Sequence, residues 1–450
     1  MPDASAGSIS YGPARALAVV RALPLWAIPM VYTVASVTAG LILPRLEHAY
    51  LGAYTHEMSV GSALAFFSAV ASGMMAFTAI VFAVAFVVVQ FSAGAYSPRL
   101  VTMFASKPAL YHTLGVFFAT FTYALAALVW TDREGGGTTP PVSTYLVGVL
   151  LLISMLAFAR LIQSVNDLQI HNVLQAIGSH GRTVIGAMYP IVEGSDAPQG
   201  AAAPLSLSPA TQTLSYSGEP RVVAALDQQA LVGLAERADA VVAVECAVGE
   251  TLMQDSVLLR VHGGILPEME LRRAVRLAAA RTFEQDPKYA LRLLVDVAIR
   301  ALSPAVNDPT TAVQALDQIE DLLRRLGRRR LASGYVRDTG GAVRLTFPAP
   351  TWEDYLALAF DEIRQFGATS LQVDRRLRAA LVDLVDTVSS EARRATVRRY
   401  LAHLDEGTRR SAFDDEDRVS ALQIDRGGLG LPRTRSAPLN HKPGNSDAKS

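Results

Sequence analysis

MSVGSALAFFSAVASGMMAFTAIVFAVAFVVVQFSAGAYSP, residues 58–98, runs for 41 residues without an Asp, Glu, Lys or Arg. A hydrocarbon core about 30 Å thick is crossed by roughly 20 apolar residues of helix. Every unpaired backbone group in lipid is costly, so such a run is read as a spanning helix, centred on 63–90. Three further apolar stretches, 24–43, 109–130 and 142–162, raise the expected number of spans to four. Trp26, Tyr54, Tyr96, Tyr111, Trp130 and Tyr145 fall near the span ends, where amphipathic rings favour the headgroup region. The linker 131–141, with Gly135, Gly136, Gly137 and Pro140, predicts a tight hairpin between the third and fourth spans.

A cleaved leader is the alternative for the first span, since Arg15 and Arg21 precede it and Val37-Thr38-Ala39 resembles a cleavage site. The apolar run continues through Leu41, Ile42 and Leu43, longer than a leader requires, and is read as an anchor. Arg15, Arg21, Arg99, Lys107 and Arg160 fall on one side of the spans, and Arg45 and Arg133 on the other. Basic flanks are retained in the cytoplasm, so both termini are expected there and the membrane is expected to be a bacterial inner membrane. Glu47, Glu57, Asp132 and Glu134 are assigned to the opposite loops.

Only 12 of the 82 charged residues precede position 163, so 163–415 is expected to be a water-exposed domain following a cytoplasmic segment at 1–23 and the membrane part at 24–162. The formal net charge is +0, which gives no overall basic field for nucleic acid. Cys246 is the one cysteine, so no disulfide can close within the chain. The period of Leu161, Val165, Leu168, Val173 and Ile177 predicts that the fourth span continues as a stalk to about Met188, ended by Pro190. Residues 193–220 are read as a flexible loop and 416–450 as a disordered tail.

Between them, Val-rich 221–226, 240–247 and 257–262 read as strands and 228–237 as a helix. Residues 248–261 have the look of a lipoyl-like hairpin but carry no Lys at the tip, so a plain structural hairpin is expected. Helices are expected at 268–281, 287–302, 309–326, 352–366, 371–388 and 391–404, with a hairpin at 334–347. The fold class is therefore an α-helical polytopic membrane protein of four transmembrane helices with an α+β cytoplasmic C-terminal domain.

The segment RALSPAVNDPTTA, 300–312, stands out as a polar turn between two apolar helices. Together with QFSAGAYSPRL (90–100), RTFEQDPKYALRLLVDVAIRALSP (281–304) and PTWEDYLALAFDEIR (350–364), it resembles the bacterial predicted membrane protein family of domain of unknown function 2254. The resemblance implies a four-span bacterial protein with a cytoplasmic domain, and no activity. Relatives often carry a His pair near the end of the fourth span, where Gln163 and Ser164 stand here. Asp308-Pro309 and Asp286-Pro287 both read as helix starts, an Asp cap followed by Pro at the first position. Arg300, Ser303, Asn307, Asp308, Thr310 and Thr311 are the candidates for a ligand or gating contact.

In the second span, Gly61, Ala65, Ala69 and Gly73 recur every four residues, a pattern that lets helices approach closely or that lines a narrow pore. At 1.5 Å per residue the span 63–90 is about 42 Å long, more than the core needs, which draws Gln90 in as a candidate junction with the C-terminal domain. None of the spans carries an ionisable centre, which disfavours a proton-coupled transporter. No nucleophile, phosphate-loop or metal motif occurs, so no enzyme, no cofactor and no metal are expected. Arg324, Arg325, Arg328, Arg329 and Arg330, and Arg393, Arg394, Arg398 and Arg399, form two basic clusters at helix ends, either solvated or docked on anionic lipid. The sequence thus predicts a homo-oligomer in the lipid bilayer, a channel or transport-type protein gated by its cytoplasmic domain. The alternative is a membrane-anchored sensor or scaffold without conduction.

Overall fold

The computed structural model describes residues 26–51, 59–95, 108–133, 141–166, 169–191, 207–411 and 413–431, and it separates into two compact units that meet in sequence at Gln169 and Ile170. The N-terminal unit holds four helices long and apolar enough to span a membrane: α1 (Ala27–Leu51), α2 (Val60–Ala95), α3 (Pro108–Arg133) and α4 (Pro141–Asn166). α3 is the hub, packed against α1, α2 and α4. Its small residues meet α1 closely: a Cβ at Gly115 would sit 2.8 Å from Tyr32, and one at Gly40 would sit 2.7 Å from Ala126.

Hydroxyls tie the same helices together. Ser36 donates to the Ala119 carbonyl at 2.5 Å, and Thr120 and Ser154 share a hydrogen bond of 2.8 Å. In lipid such pairs leave no polar group facing hydrocarbon. The inward face of α2 is bulkier, with Phe67, Val70, Met74 and Val81 buried against its neighbours.

Glu47 corrects the loop assignment made for it. α1 runs on through Pro44 to Leu51, and Glu47 is only 5% exposed. Its carboxylate accepts the backbone N–H of Val142 at 3.0 Å and the Ser143 hydroxyl at 2.6 Å, so it caps the first turn of α4. An anion at a helix N-terminus satisfies free donors and the positive end of the helix dipole.

The second unit begins with α5 (Ile170–Met188); residues 167–168, on which the expected continuity of a stalk depends, lie outside the described residues. α5 belongs to the domain core. A Cβ at its Gly181 would lie 2.8 Å from Leu322, and Val173, Ile177 and Ile185 are fully buried. The sheet layer follows: β1 (Ala210–Ser215), β2 (Arg221–Leu226), α6 (Gln228–Arg237), β3 (Val241–Val244), β4 (Thr251–Leu252), β5 (Val257–His262), α7 (Glu268–Ala274) and β6 (Val275–Ala278). A helical layer comprises α8 (Pro287–Ala301), α9 (Pro309–Gly327), α10 (Trp352–Phe366), α11 (Leu371–Thr387), α12 (Glu391–Arg410) and α13 (Asp415–Ala421). The hairpin of β7 (Tyr335–Arg337) and β8 (Val343–Thr346) returns to the sheets between α9 and α10.

The larger sheet has the order β1-β5-β3-β8-β7, in which only β3 and β8 run parallel, and the smaller is β4-β2-β6. Val223, Leu231, Val242, Leu259, Leu271 and Leu345 fill the core between the sheets and their helices.

Three expectations are corrected here. The helix drawn over 268–281 stops at Ala274, because Val275 and Leu277 pair with Leu226 and Val223 of β2 and the strand outweighs local helix propensity. β1 lies inside the stretch 193–220, expected to be a flexible loop, and is held by pairing with β5; residues 192–206 lie outside the described residues. The tail is ordered to Leu431, beyond the expected limit of 415. Asp425, 3% exposed, accepts the N–H groups of Gly428 at 2.8 Å and Gly430 at 2.6 Å, and buried Arg375 donates to the Ser420 carbonyl at 2.7 Å. Residues 432–450 lie outside the described residues.

Candidate functional site

The turn that stood out in the sequence, 300–312, is a self-contained connection between α8 and α9. Ser303 donates its hydroxyl to the Arg300 carbonyl at 2.7 Å, and the Asp308 N–H returns to the Ala301 carbonyl at 2.8 Å. Asn307 takes φ 48°, the left-handed conformation that Asn tolerates better than most residues. Asp308 caps α9, accepting the Thr311 N–H at 3.1 Å and its hydroxyl at 2.6 Å. Thr310 is exposed. The structure thus brings Ser303, Asp308 and Thr311 into local bonds that close the turn, and none of the candidate residues lines the large cleft of the domain.

The second Asp-Pro pair behaves differently, which corrects its reading as a repeat of the same cap. Asp286 occupies the N-cap position of α8 with Pro287 after it, yet its side chain makes no bond to the helix. It is 1% exposed and pairs through Oδ2 with the Arg281 guanidinium, which also lies over the Tyr289 ring with 5.8 Å to the centroid. The Oδ1 atom is buried and has no hydrogen-bond partner. Gly249, at φ +87°, lies directly against this pair: a Cβ there would be 2.4 Å from Asp286 Oδ2 and 2.5 Å from the Arg281 guanidinium. Glycine is required on both counts, conformation and space.

Asp286 lines a cleft of about 1780 Å³ between the sheet and helical layers of the C-terminal domain. Its walls combine apolar Leu226, Val248, Tyr335 and Phe347 with charged side chains from α7, the start of α8, the end of α9 and the start of α12. At its edge the hydroxyls of Tyr189 and Tyr355 share a 2.9 Å hydrogen bond, and burial pushes both phenols above their ordinary range. Gln285 mimics a strand partner on the opposite wall, accepting the Leu226 N–H at 3.0 Å and donating to its carbonyl at 3.3 Å. The first turn of α8 is therefore anchored without any side chain capping it.

Of the two arginine clusters only Arg393 is buried; most of the others reach the surface, where several pair with carboxylates of the domain. Arg324 bridges Glu320 and Asp383, the latter at 2.9 Å, while Arg325 pairs with Asp321 at 3.1 Å. Arg393 is 3% exposed, lies over Trp352, and donates to the carbonyls of Leu326, Gly327 and Arg329 at the end of α9. Arg394 and Arg398 both pair with Glu391. Arg328 and Arg399 bond the Thr387 carbonyl and the Thr396 hydroxyl.

Cys246 is 2% exposed, and burial pushes its thiol up to about 11, so it is an inert core residue. Among the described residues no three His, Cys, Asp or Glu side chains are grouped so as to hold a metal ion.

In the membrane unit, the small residues picked out in α2 face outward. Gly61, Ala65, Ala69 and Gly73 are exposed, and a Cβ at Gly61 or Gly73 would meet nothing within 4 Å. Ser62, Ser68 and Ser72 share that outward surface, on which no large apolar side chain is exposed before Met75. α1 and α4 differ, exposing Met30, Val31, Val34, Leu41, Val149, Leu152 and Leu156. α2 is 36 residues long, about 54 Å at 1.5 Å per residue. Gln90 falls in its last third, and its side chain lies outside the described residues.

A family model described as predicted membrane protein (DUF2254) matches residues 23–383. An uncharacterised protein of Mycobacterium tuberculosis strain H37Rv is 25% identical over 420 residues, covering 88% of this chain and 78% of the relative. An uncharacterised protein of Mycobacterium bovis matches with the same identity and coverage. No solved structure matches the chain.

Proposed function

The chain belongs to the DUF2254 family of predicted membrane proteins, and from that premise we propose that copies of it associate through the outward face of α2 into an inner-membrane assembly that passes ions or small solutes. The C-terminal domain lies on the cytoplasmic side and acts as the gate, consistent with the basic flanks of the spans. What supports this reading is the surface of α2 between Ser59 and Gly73, where every fully exposed residue is Gly, Ala or Ser while α1 and α4 expose bulky apolar side chains. A lipid-facing helix gains nothing from small and hydroxylated residues. A helix that abuts its own copies, or lines a narrow wet path, gains close approach and weak polarity from them.

Flux through liposomes reconstituted with the purified protein tests this. Transport above that of empty liposomes is expected, and Ala69→Leu or Gly73→Leu should abolish it while leaving the fold of each subunit intact. Flux no higher than background would discard conduction. A second reading then stands, a membrane-anchored sensor, favoured by the cleft at Asp286, which is large enough to take a ligand without any pore.

A further inference from the structure

We infer that the cleft at the start of α8 is a binding site for a small phosphate-bearing molecule that also carries a hydroxyl, of the sugar-phosphate or nucleotide class. The inference supplies a ligand for the sensing role of the C-terminal domain and rests on that part of the reading alone.

The cleft is lined by seven Lys and Arg side chains against four carboxylates, and the carboxylates are already engaged. Glu284 pairs with Arg276 at 2.5 Å, Asp286 with Arg281, Asp227 caps α6 through the Ala230 N–H, and Glu353 accepts the Thr396 hydroxyl. Lys288, Arg273 and Arg330 have no carboxylate partner among the described residues. They come from three separated elements, α7, α8 and the chain after α9, so their presence in one cleft is a product of the fold. Unpaired cations lining one concave site favour a ligand of opposite sign.

The helix end points the same way. α8 is 15 residues long, and its N-cap side chain makes no bond to it. Its positive end therefore stands at the cleft wall with no carboxylate side chain bonded to it; Pro287 has no N–H and Tyr289 donates to the Asp286 carbonyl, which leaves the Lys288 N–H to meet an anion there. Asp286 turns away from that end to Arg281, so it does not occupy the anion position.

The buried Oδ1 of Asp286 supplies an independent requirement, because it lacks a donor in a residue that lines the cleft. An unsatisfied buried carboxylate oxygen is costly, and a ligand hydroxyl that displaces the thin cover over it would answer it. A bare anion would not. The volume of about 1780 Å³ exceeds the roughly 300–1,000 Å³ of ordinary small-molecule sites, leaving room for a nucleotide-sized ligand with its water.

Calorimetric titration of the full-length protein in detergent with ADP and with inorganic pyrophosphate, at fixed ionic strength, decides the matter. ADP should bind saturably, and more tightly than pyrophosphate, which has no hydroxyl to offer. Lys288→Glu and Arg273→Glu should each weaken ADP by about tenfold or more, the worth of one lost charge-assisted contact. Arg409→Glu, exposed on α12 away from the cleft, should bind as the parent does. Absence of saturable ADP binding overturns the inference, as does parental affinity in both cleft variants or an equal loss in Arg409→Glu. Should Lys288→Glu fail to fold, exposed Arg273→Glu carries the comparison. Displacement of ADP by short-chain phosphatidylglycerol would assign the phosphate to a lipid headgroup, and failure to displace it to a soluble metabolite. Binding and flux are separate readouts: a protein that conducts without binding sinks this inference only, and one that binds without conducting sinks only the channel.

Discussion

Two Asp-Pro pairs that look alike in sequence do different work. Asp308 holds the first turn of α9 through Thr311, so Asp308→Ala should cost about 1 kcal/mol, the ordinary worth of an N-cap. Asp286 forms a buried ion pair instead, and Asp286→Ala would leave Arg281 half-buried beside Gly249 without its carboxylate. That variant should lose more, about 2–3 kcal/mol, since orphaning a buried charge costs more than removing a cap. Chemical denaturation of the two variants side by side checks the order, and equal losses would mean that Asp286 is only another cap. Nothing in the two Asp-Pro strings distinguishes them. The difference is made by Arg281 folding back and by a glycine 37 positions earlier in the chain, neither of which leaves a local pattern.

At the scale of elements, periodicity was a good guide where one face of a segment is buried by its neighbours in a regular way. β2, α6, β5 and α10 begin and end where strand and helix patterns predict. It misled at 275–278, where an Ala- and Arg-rich stretch becomes β6 because β2 offers an open edge. The glycines of the membrane helices show the same limit. Four-residue spacing pointed to Gly61 and Gly73, yet the tight contacts within the subunit are at Gly40 and Gly115. Gly40→Val should therefore destabilise the four-helix unit by about 1–3 kcal/mol through overpacking against Ala126. Gly61→Val should leave the melting temperature of the isolated subunit unchanged, since its added methyls enter open space. A matched pair of thermal melts in detergent separates them; equal losses would place Gly61 in an intramolecular contact.

For the whole molecule, orientation is the property on which the gating proposal depends. Cys246, the obvious thiol to label, is buried and should stay unmodified in the folded protein. Met253 is 54% exposed, so Met253→Cys in a Cys246→Ala background gives a usable reporter on the C-terminal domain. A membrane-impermeant maleimide should label it only after the cells are opened; labelling of intact cells would invert the topology. The sequence by itself determined that this chain crosses a membrane four times and then folds a separate domain. Uninterrupted hydropathy and uneven charge are one-dimensional quantities, set by the solvent each segment can tolerate. Only the tertiary structure decided where chemistry is concentrated in that domain. The ion pair of Asp286, the cations that line its cleft and the caps that close the 300–312 turn depend on which side chains, distant along the chain, are brought within hydrogen-bonding range. Those distances are fixed by packing, which no single segment encodes.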